Sequence, residues 1–150
     1  MRVIARKTAC LLACALWAAA LPAFADAHTE VMDLFGSMTS ALADDNVPGF
    51  MSGFDKNMPQ YDTLRTYMDA LVAEAEVTSA MEPLKDEGDD QKRSVDLDWT
   101  MQIRSRVAAG PMVERHQTVH AELAKQKKHW RIVSISPLDF FAPAKFTESK

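Results

Sequence analysis

Ser94–Arg106 reads SVDLDWTMQIRSR. Val95, Leu97, Trp99, Met101 and Ile103 fall on one parity, and Asp96, Asp98, Thr100, Gln102 and Arg104 on the other. Successive side chains of a strand point to opposite faces, so the pattern predicts a strand with one apolar and one polar wall. Wound as a helix, the same five apolar residues would scatter around the circumference and leave no stripe to bury. A strand of this kind is central to a sheet that covers a core on one side and meets water on the other.

Working outward, Val77–Leu84 reads as the preceding strand, fraying at Pro83, and Lys85–Gln91 as a charged turn. Ala108-Ala109-Gly110-Pro111 is the turn that follows the central strand. Met112–Gln126 is ambiguous by periodicity. As a helix its Met112, His116, Val119 and Leu123 stripe is poor. As a strand it places Val113, Arg115, Gln117, Val119, Ala121 and Leu123 on one face, and the strand is the reading adopted. Lys125–Lys128 is then a hairpin turn, Trp130–Ser136 the last strand, closed by Pro137, and Asp139-Phe140-Phe141 a tail that lays its rings on a sheet edge.

That choice bears on metal binding. His116 and His120 would share a face on a helix, as a zinc pair does. Four residues of strand span ~13 Å, far beyond the ~4 Å between two ligands of one ion. No metal site and no cofactor are expected, and the polar face carrying both histidines reads as solvated, with Asp96 and Asp98 solvated beside it.

Three helical segments precede the strands. Val31, Leu34, Phe35, Met38, Ala41 and Leu42 recur at helical spacing from a Thr29 cap to about Asp44. Asn46 is an N-cap for a short second helix with Pro48 in its first turn, burying Phe50, Met51 and Phe54. A third helix from Tyr61 or Asp62 to about Glu76 carries Leu64, Tyr67, Met68, Leu71, Val72 and Ala75 on one side. The methionines suit irregular core packing, with an adaptable pocket wall as the alternative.

Met1–Ala25 has a different character. Arg2, Arg6 and Lys7 form a basic start, an apolar run extends from Thr8 to Phe24, and Ala23-Phe24-Ala25 is a small-x-small cleavage pattern. These are the parts of a secretory signal peptide, with Asp26 as the first mature residue. Cleavage removes Cys10 and Cys14, the chain's two cysteines, so the mature protein has no disulfide and no thiolate. Losing the three basic residues takes the formal charge from −4 to −7. Such an acidic domain is a poor nucleic-acid binder, and no second apolar run offers a membrane span. Residues 26–150 suit one domain in the periplasm or outside the cell.

The order of elements resembles a known family. The stretch Ala41-Leu42-Ala43-Asp44-Asp45-Asn46-Val47-Pro48-Gly49-Phe50-Met51-Ser52-Gly53-Phe54 resembles the opening of nuclear transport factor 2-like domains, a superfamily that includes SnoaL-like cyclases and ketosteroid isomerases. Glu114-Arg115-His116 through Lys128-His129-Trp130-Arg131-Ile132 resembles its last hairpin. The resemblance implies an α+β, cystatin-like fold, in which a curved sheet of about four strands wraps N-terminal helices and leaves a pocket at the open end. It also implies that two copies can pair through the outer sheet face as a homodimer. Many members place a β-hairpin between the second and third helices, and the isomerases' general base lies near it. Here only Asp55–Gln60 fills that interval, so no position receives that base.

The sequence therefore offers no catalytic residue. The candidate pocket set is Arg115 and Gln117, polar intruders on the apolar parity, with Trp99 beside them and Tyr67 on the facing helix. A buried guanidinium needs a carboxylate or an anionic ligand, or else lies at a strand end with its head in water. The leading expectation is an exported, non-catalytic module binding a small molecule or a protein partner. The alternative is a small cofactor-free cyclase, isomerase or hydratase using a polar pocket residue as acid or base.

Overall fold

The computed structural model describes residues 22–107 and 110–146. The basic start and most of the apolar run of the export signal, with Ala108 and Ala109 of the second turn, lie outside the described residues. The deciding stretch forms β2 (Lys92–Ser105). Val95, Leu97, Trp99, Met101 and Ile103 are all buried, while the opposite parity is half-buried or exposed. β2 pairs antiparallel with β1 (Ala75–Gly88) and with β3 (Met112–Gln126), and β4 (His129–Ser136) pairs antiparallel with β3. The order is β1-β2-β3-β4, so consecutive strands are neighbours throughout. The ambiguous stretch is a strand.

β1 runs further than its apolar pattern, because Lys85–Gly88 continue to pair with β2 and the turn shrinks to Asp89–Gln91. Pro83 has no N–H to donate, and the register shifts between Pro83 and Lys85, leaving Leu84 outside the ladder and exposed. The hairpin closes through Gly88, whose φ of 138° suits glycine and whose Cβ, if present, would lie 2.1 Å from the Lys92 carbonyl oxygen. β4 is short and covers only His120–Gln126 of β3, so Met112–Val119 form an edge.

Three helices cover the apolar face: α1 (Pro22–Ala43), α2 (Val47–Met51) and α3 (Tyr61–Glu74). α1 extends N-terminal to the expected Thr29 cap, through an alanine-rich segment of high helix propensity. α2 is capped as its sequence indicates, with Asn46 Oδ1 accepting the Gly49 amide at 2.9 Å. α3 passes into β1 without a loop. Its C-terminal carbonyls are met by Arg106, whose amide donates to Glu74 O (3.0 Å) and whose Nε donates to Val72 O (3.0 Å). The same guanidinium reaches Asp45 in the α1–α2 turn at 2.7 Å. One cation thus caps a helix end that the dipole makes negative and ties it to the preceding turn.

No hairpin separates α2 from α3. Phe54 alone bridges parallel to Ile132: the Ile132 amide donates to Gly53 O (2.8 Å), and the Asp55 amide donates to Ile132 O (2.9 Å). After β4, a 3-10 turn at Leu138–Phe141 carries the tail back over the apolar face. Its rings do not lie on a sheet edge as the sequence suggested. Phe141 meets Trp99 edge-on at 5.2 Å and Phe140 packs on it at 5.8 Å, so both close the core. The fold is α+β, an open antiparallel sheet with helices on one face. Among the described residues no helix is long and apolar enough to cross a membrane.

Candidate functional site

The expected pocket set does not assemble around an open interior. Trp99 is fully buried, and Phe140, Phe141 and Phe50 form a continuous cluster of tilted and edge-on rings against it. Tyr67 is half-buried on α3. Gln117 is the register partner of Trp99 yet exposed, because β4 stops at His120 and leaves this part of β3 at the edge. Arg115, opposite Met101, does point to the covered side, but it has neither carboxylate nor solvent as its main partner. Its Nη1 donates to Phe140 O at 2.9 Å and to Ala142 O at 2.5 Å. Desolvation lowers its pKa from the ordinary value. The sequence reading allowed it a carboxylate, a ligand or water, and overlooked carbonyls freed at the end of a tight turn.

The outer face also departs from expectation. Asp98 Oδ1 lies 2.6 Å from His116 Nε2, and Asp96 Oδ1 lies 2.6 Å from His120 Nδ1. Cross-strand register places each pair as directly opposed or diagonal neighbours on one face. The carboxylates are therefore paired rather than simply solvated. The Asp96 hydrogen bond, aided by Glu122, raises the pKa of His120 above its ordinary value.

An open cleft of about 610 Å³ lies instead where α2, the loop after it, the start of α3 and the β3–β4 hairpin meet. Met51, Phe54 and Tyr61 supply its apolar surface, and Lys56, Arg65 and Arg131 its positive charge. The parallel bridge at Phe54 fixes the loop against β4, which brings Asp55 beside Gln126 and Arg131. Asp55 Oδ1 accepts the Asn57 amide (2.8 Å) and Oδ2 accepts Gln126 Nε2 (2.6 Å). Those two hydrogen bonds, then Arg131, hold its carboxyl below the usual range. Arg131 Nη1 donates to its neighbour's carbonyl, Trp130 O, at 3.0 Å. Lys56 and Arg65 make no ion pair among the described residues. The arrangement presents three cations to one carboxylate whose lone pairs are already engaged, over an apolar floor.

Sequence reasoning placed Asp55 only at the start of the short interval between the second and third helices, and missed the cluster around it. Lys56, Arg65 and Arg131 come from a loop, a helix and the last strand, and no spacing in the chain joins them.

No protein-family model matches the sequence, and no curated protein matches it. Solved structures do match. A protein from Novosphingobium aromaticivorans provisionally named a scytalone dehydratase superposes with a TM-score of 0.68 at 7% identity, covering 75% of this chain and 83% of that one. A nuclear transport factor 2-like superfamily protein from Salmonella enterica gives 0.62 at 13% identity, over 81% and 94%. A cystatin-like protein of unknown function from Nostoc punctiforme gives 0.55 at 12% identity, over 72% and 86%. At these identities the likeness establishes the fold, which is that of nuclear transport factor 2-like domains.

Proposed function

We propose that this chain is an exported, non-catalytic binding protein for small organic acids, and that the cleft between α2 and the β3–β4 hairpin is its site. One observation carries the reading: Lys56, Arg65 and Arg131 surround an apolar floor on a chain that is acidic overall. Unpaired cations beside the half-buried Tyr61 ring, with Met51 and Phe54 beneath, suit a ligand with a carboxylate head and an apolar body. Tyr61 offers a ring for that body, and two guanidinium groups offer planar donors for the head.

Two features favour binding over proton transfer. Among the described residues, the covered face of the sheet beside Trp99 is filled by the Phe140 and Phe141 rings. Asp55, the cleft's carboxylate, is a weak base because its anion is already stabilised by two donors. The alternative of a cofactor-free acid–base enzyme draws on the name of one fold neighbour.

Export rests on the basic start, the apolar run and the small residues at 23 and 25. N-terminal sequencing of protein recovered outside the cytoplasm should read Asp26 first, and a chain retaining Leu11–Leu21 would refute the reading. For the cleft, calorimetric titration with benzoate and its relatives should show binding that Arg65→Gln and Arg131→Gln each weaken ~10-fold or more, the worth of one charge-assisted hydrogen bond. Binding indifferent to both substitutions would exclude this site.

A further inference from the structure

Export has a chemical consequence at the new N-terminus. Cleavage after Ala25 leaves Asp26-Ala27-His28 as the first three residues. We propose that this terminus is a square-planar site for Cu(II), with Ni(II) as the other ion of that geometry. The inference rests on the export reading above, and its donors are set by covalent order. The α-amino nitrogen of Asp26, the amide nitrogens of Ala27 and His28, and His28 Nδ1 can close three fused chelate rings around one ion. The last ring runs through the His28 amide nitrogen, Cα, Cβ, Cγ and Nδ1, and histidine third in the chain puts two amides between the amine and the imidazole, which completes four donors. Position two is alanine, so its amide carries the proton that binding must displace; proline there would forbid it. Four nitrogens in a plane are the set that Cu(II) and Ni(II) prefer. Binding releases three protons, one from the ammonium group and one from each amide.

The structure supplies the rest. In the uncleaved chain α1 is continuous from Pro22, so the amides of Ala27 and His28 sit within a helix. Cleavage removes their acceptors and leaves the amides of Ala27 and His28 in the first turn, where N–H groups lack an intrahelical acceptor. The helix stays docked just beyond. Glu30 Oε2 accepts Trp130 Nε1 at 2.8 Å and Lys125 Nζ at 3.0 Å, and Val31 is fully buried. Asp26, Ala27 and His28 can therefore leave the helix by fraying its first turn, with the small Ala27 side chain alone withdrawn from the core.

His28 Nδ1, the nitrogen the chelate needs, rests 2.5 Å from Asp86 Oδ2 in the docked state, and the imidazole is about half exposed. Asp86 also binds Arg93 Nε at 2.6 Å, and both of those side chains are buried. When His28 swings out to the metal, Asp86 keeps its guanidinium partner and no buried charge is stranded. The Asp86–Arg93 pair thus acts as a parking place for the imidazole. Among the described residues no three His, Cys, Asp or Glu side chains converge on a metal position. This site uses backbone nitrogens for most of its donors. The absence of cysteine in the mature chain favours the divalent ion over Cu(I), which selects soft sulfur ligands.

The test uses the exported protein, with its first residue read by sequencing, and a second sample whose terminus is set to Asp26 by protease removal of a leader. Cu(II) alone is titrated into each, followed by visible absorption and by paramagnetic resonance for coupling to four nitrogens. One ion per chain in a square-planar nitrogen field is expected. His28→Ala, or one extra residue before Asp26, should weaken binding more than ~100-fold, beyond the loss seen when only an outer partner of a metal ligand is removed. The extra residue leaves the folded body untouched, so its effect cannot come from unfolding. Stoichiometric binding that survives the extension, or its absence in the Asp26 sample, would overturn the site. An exported chain that begins elsewhere while the Asp26 sample binds would overturn cleavage after Ala25, and with it the site's occurrence in the natural protein.

Discussion

Replacing Arg115 with methionine keeps the length and apolar stem of the side chain and removes its donors. The two acceptors it abandons, Phe140 O and Ala142 O, lie on the turn that sets Phe140 and Phe141 over Trp99. A hydrogen bond from a charged donor contributes about 1.5–3 kcal/mol. Both bonds come from a single nitrogen on a half-buried residue, so one contribution of ~2 kcal/mol is the proper count. For a chain of this size that corresponds to a fall in melting temperature of about 4–8 °C. Urea and thermal unfolding measure it, and hydrogen exchange at Phe140–Ala142 locates it. Arg115→Lys should recover part of the loss, since one ammonium can reach one carbonyl. Binding of organic acids should be unchanged, because Arg115 does not line the cleft. Unchanged stability would show that the guanidinium does not hold the tail. Unchanged stability with lost binding would place the ligand beside Arg115 and refute the assignment of the site.

Trp99→Ala should destabilise by about 3–5 kcal/mol through lost burial and a cavity. Trp99→Phe should cost markedly less, because the indole Nε1 is buried without a hydrogen-bond partner and its removal relieves an unsatisfied donor; equal losses for the two variants would contradict that. The raised pKa of His120 means its pair with Asp96 contributes fully below about pH 6.5 and fades as pH rises through the folded-state value. Asp96→Asn should therefore destabilise the fold more at about pH 6 than at about pH 8.5, by no more than ~1 kcal/mol after solvent screening; a pH-independent difference would refute the pairing. We also propose pairing of two copies through the outer face that carries His116, Thr118, His120 and Glu122, and sedimentation showing monomer at both about pH 5 and about pH 8 would dismiss it.

The fold was legible where one physical rule dominated. Alternation in Val95–Ile103 declared a half-buried strand, and the Asn46 and Pro48 cap declared α2. Met112–Gln126 was settled only by its weakness as a helix. Boundaries failed where tertiary pairing extended an element past its apolar pattern, as in Lys85–Gly88 of β1. The site was illegible for another reason. Parity correctly aimed Arg115 inward, but the carbonyls that meet it lie 25 and 27 residues along the chain, on a tail expected at the sheet edge. Gln117 has the same parity and is exposed because β4 ends early, which alternation within β3 cannot encode. Lys56, Arg65 and Arg131 become neighbours only when Phe54 bridges to Ile132.

The account turns on where a small acid binds, and amide correlation spectra of the mature protein titrated with benzoate answer that directly. The cleft reading predicts shifts at Asn57, Tyr61, Gln126 and Arg131, with the buried Trp99 indole N–H, which has no partner and would register any intruder, left in place. Movement of the Trp99 indole and of Phe140 and Phe141, with the cleft amides still, would put the ligand inside the sheet and contradict the account.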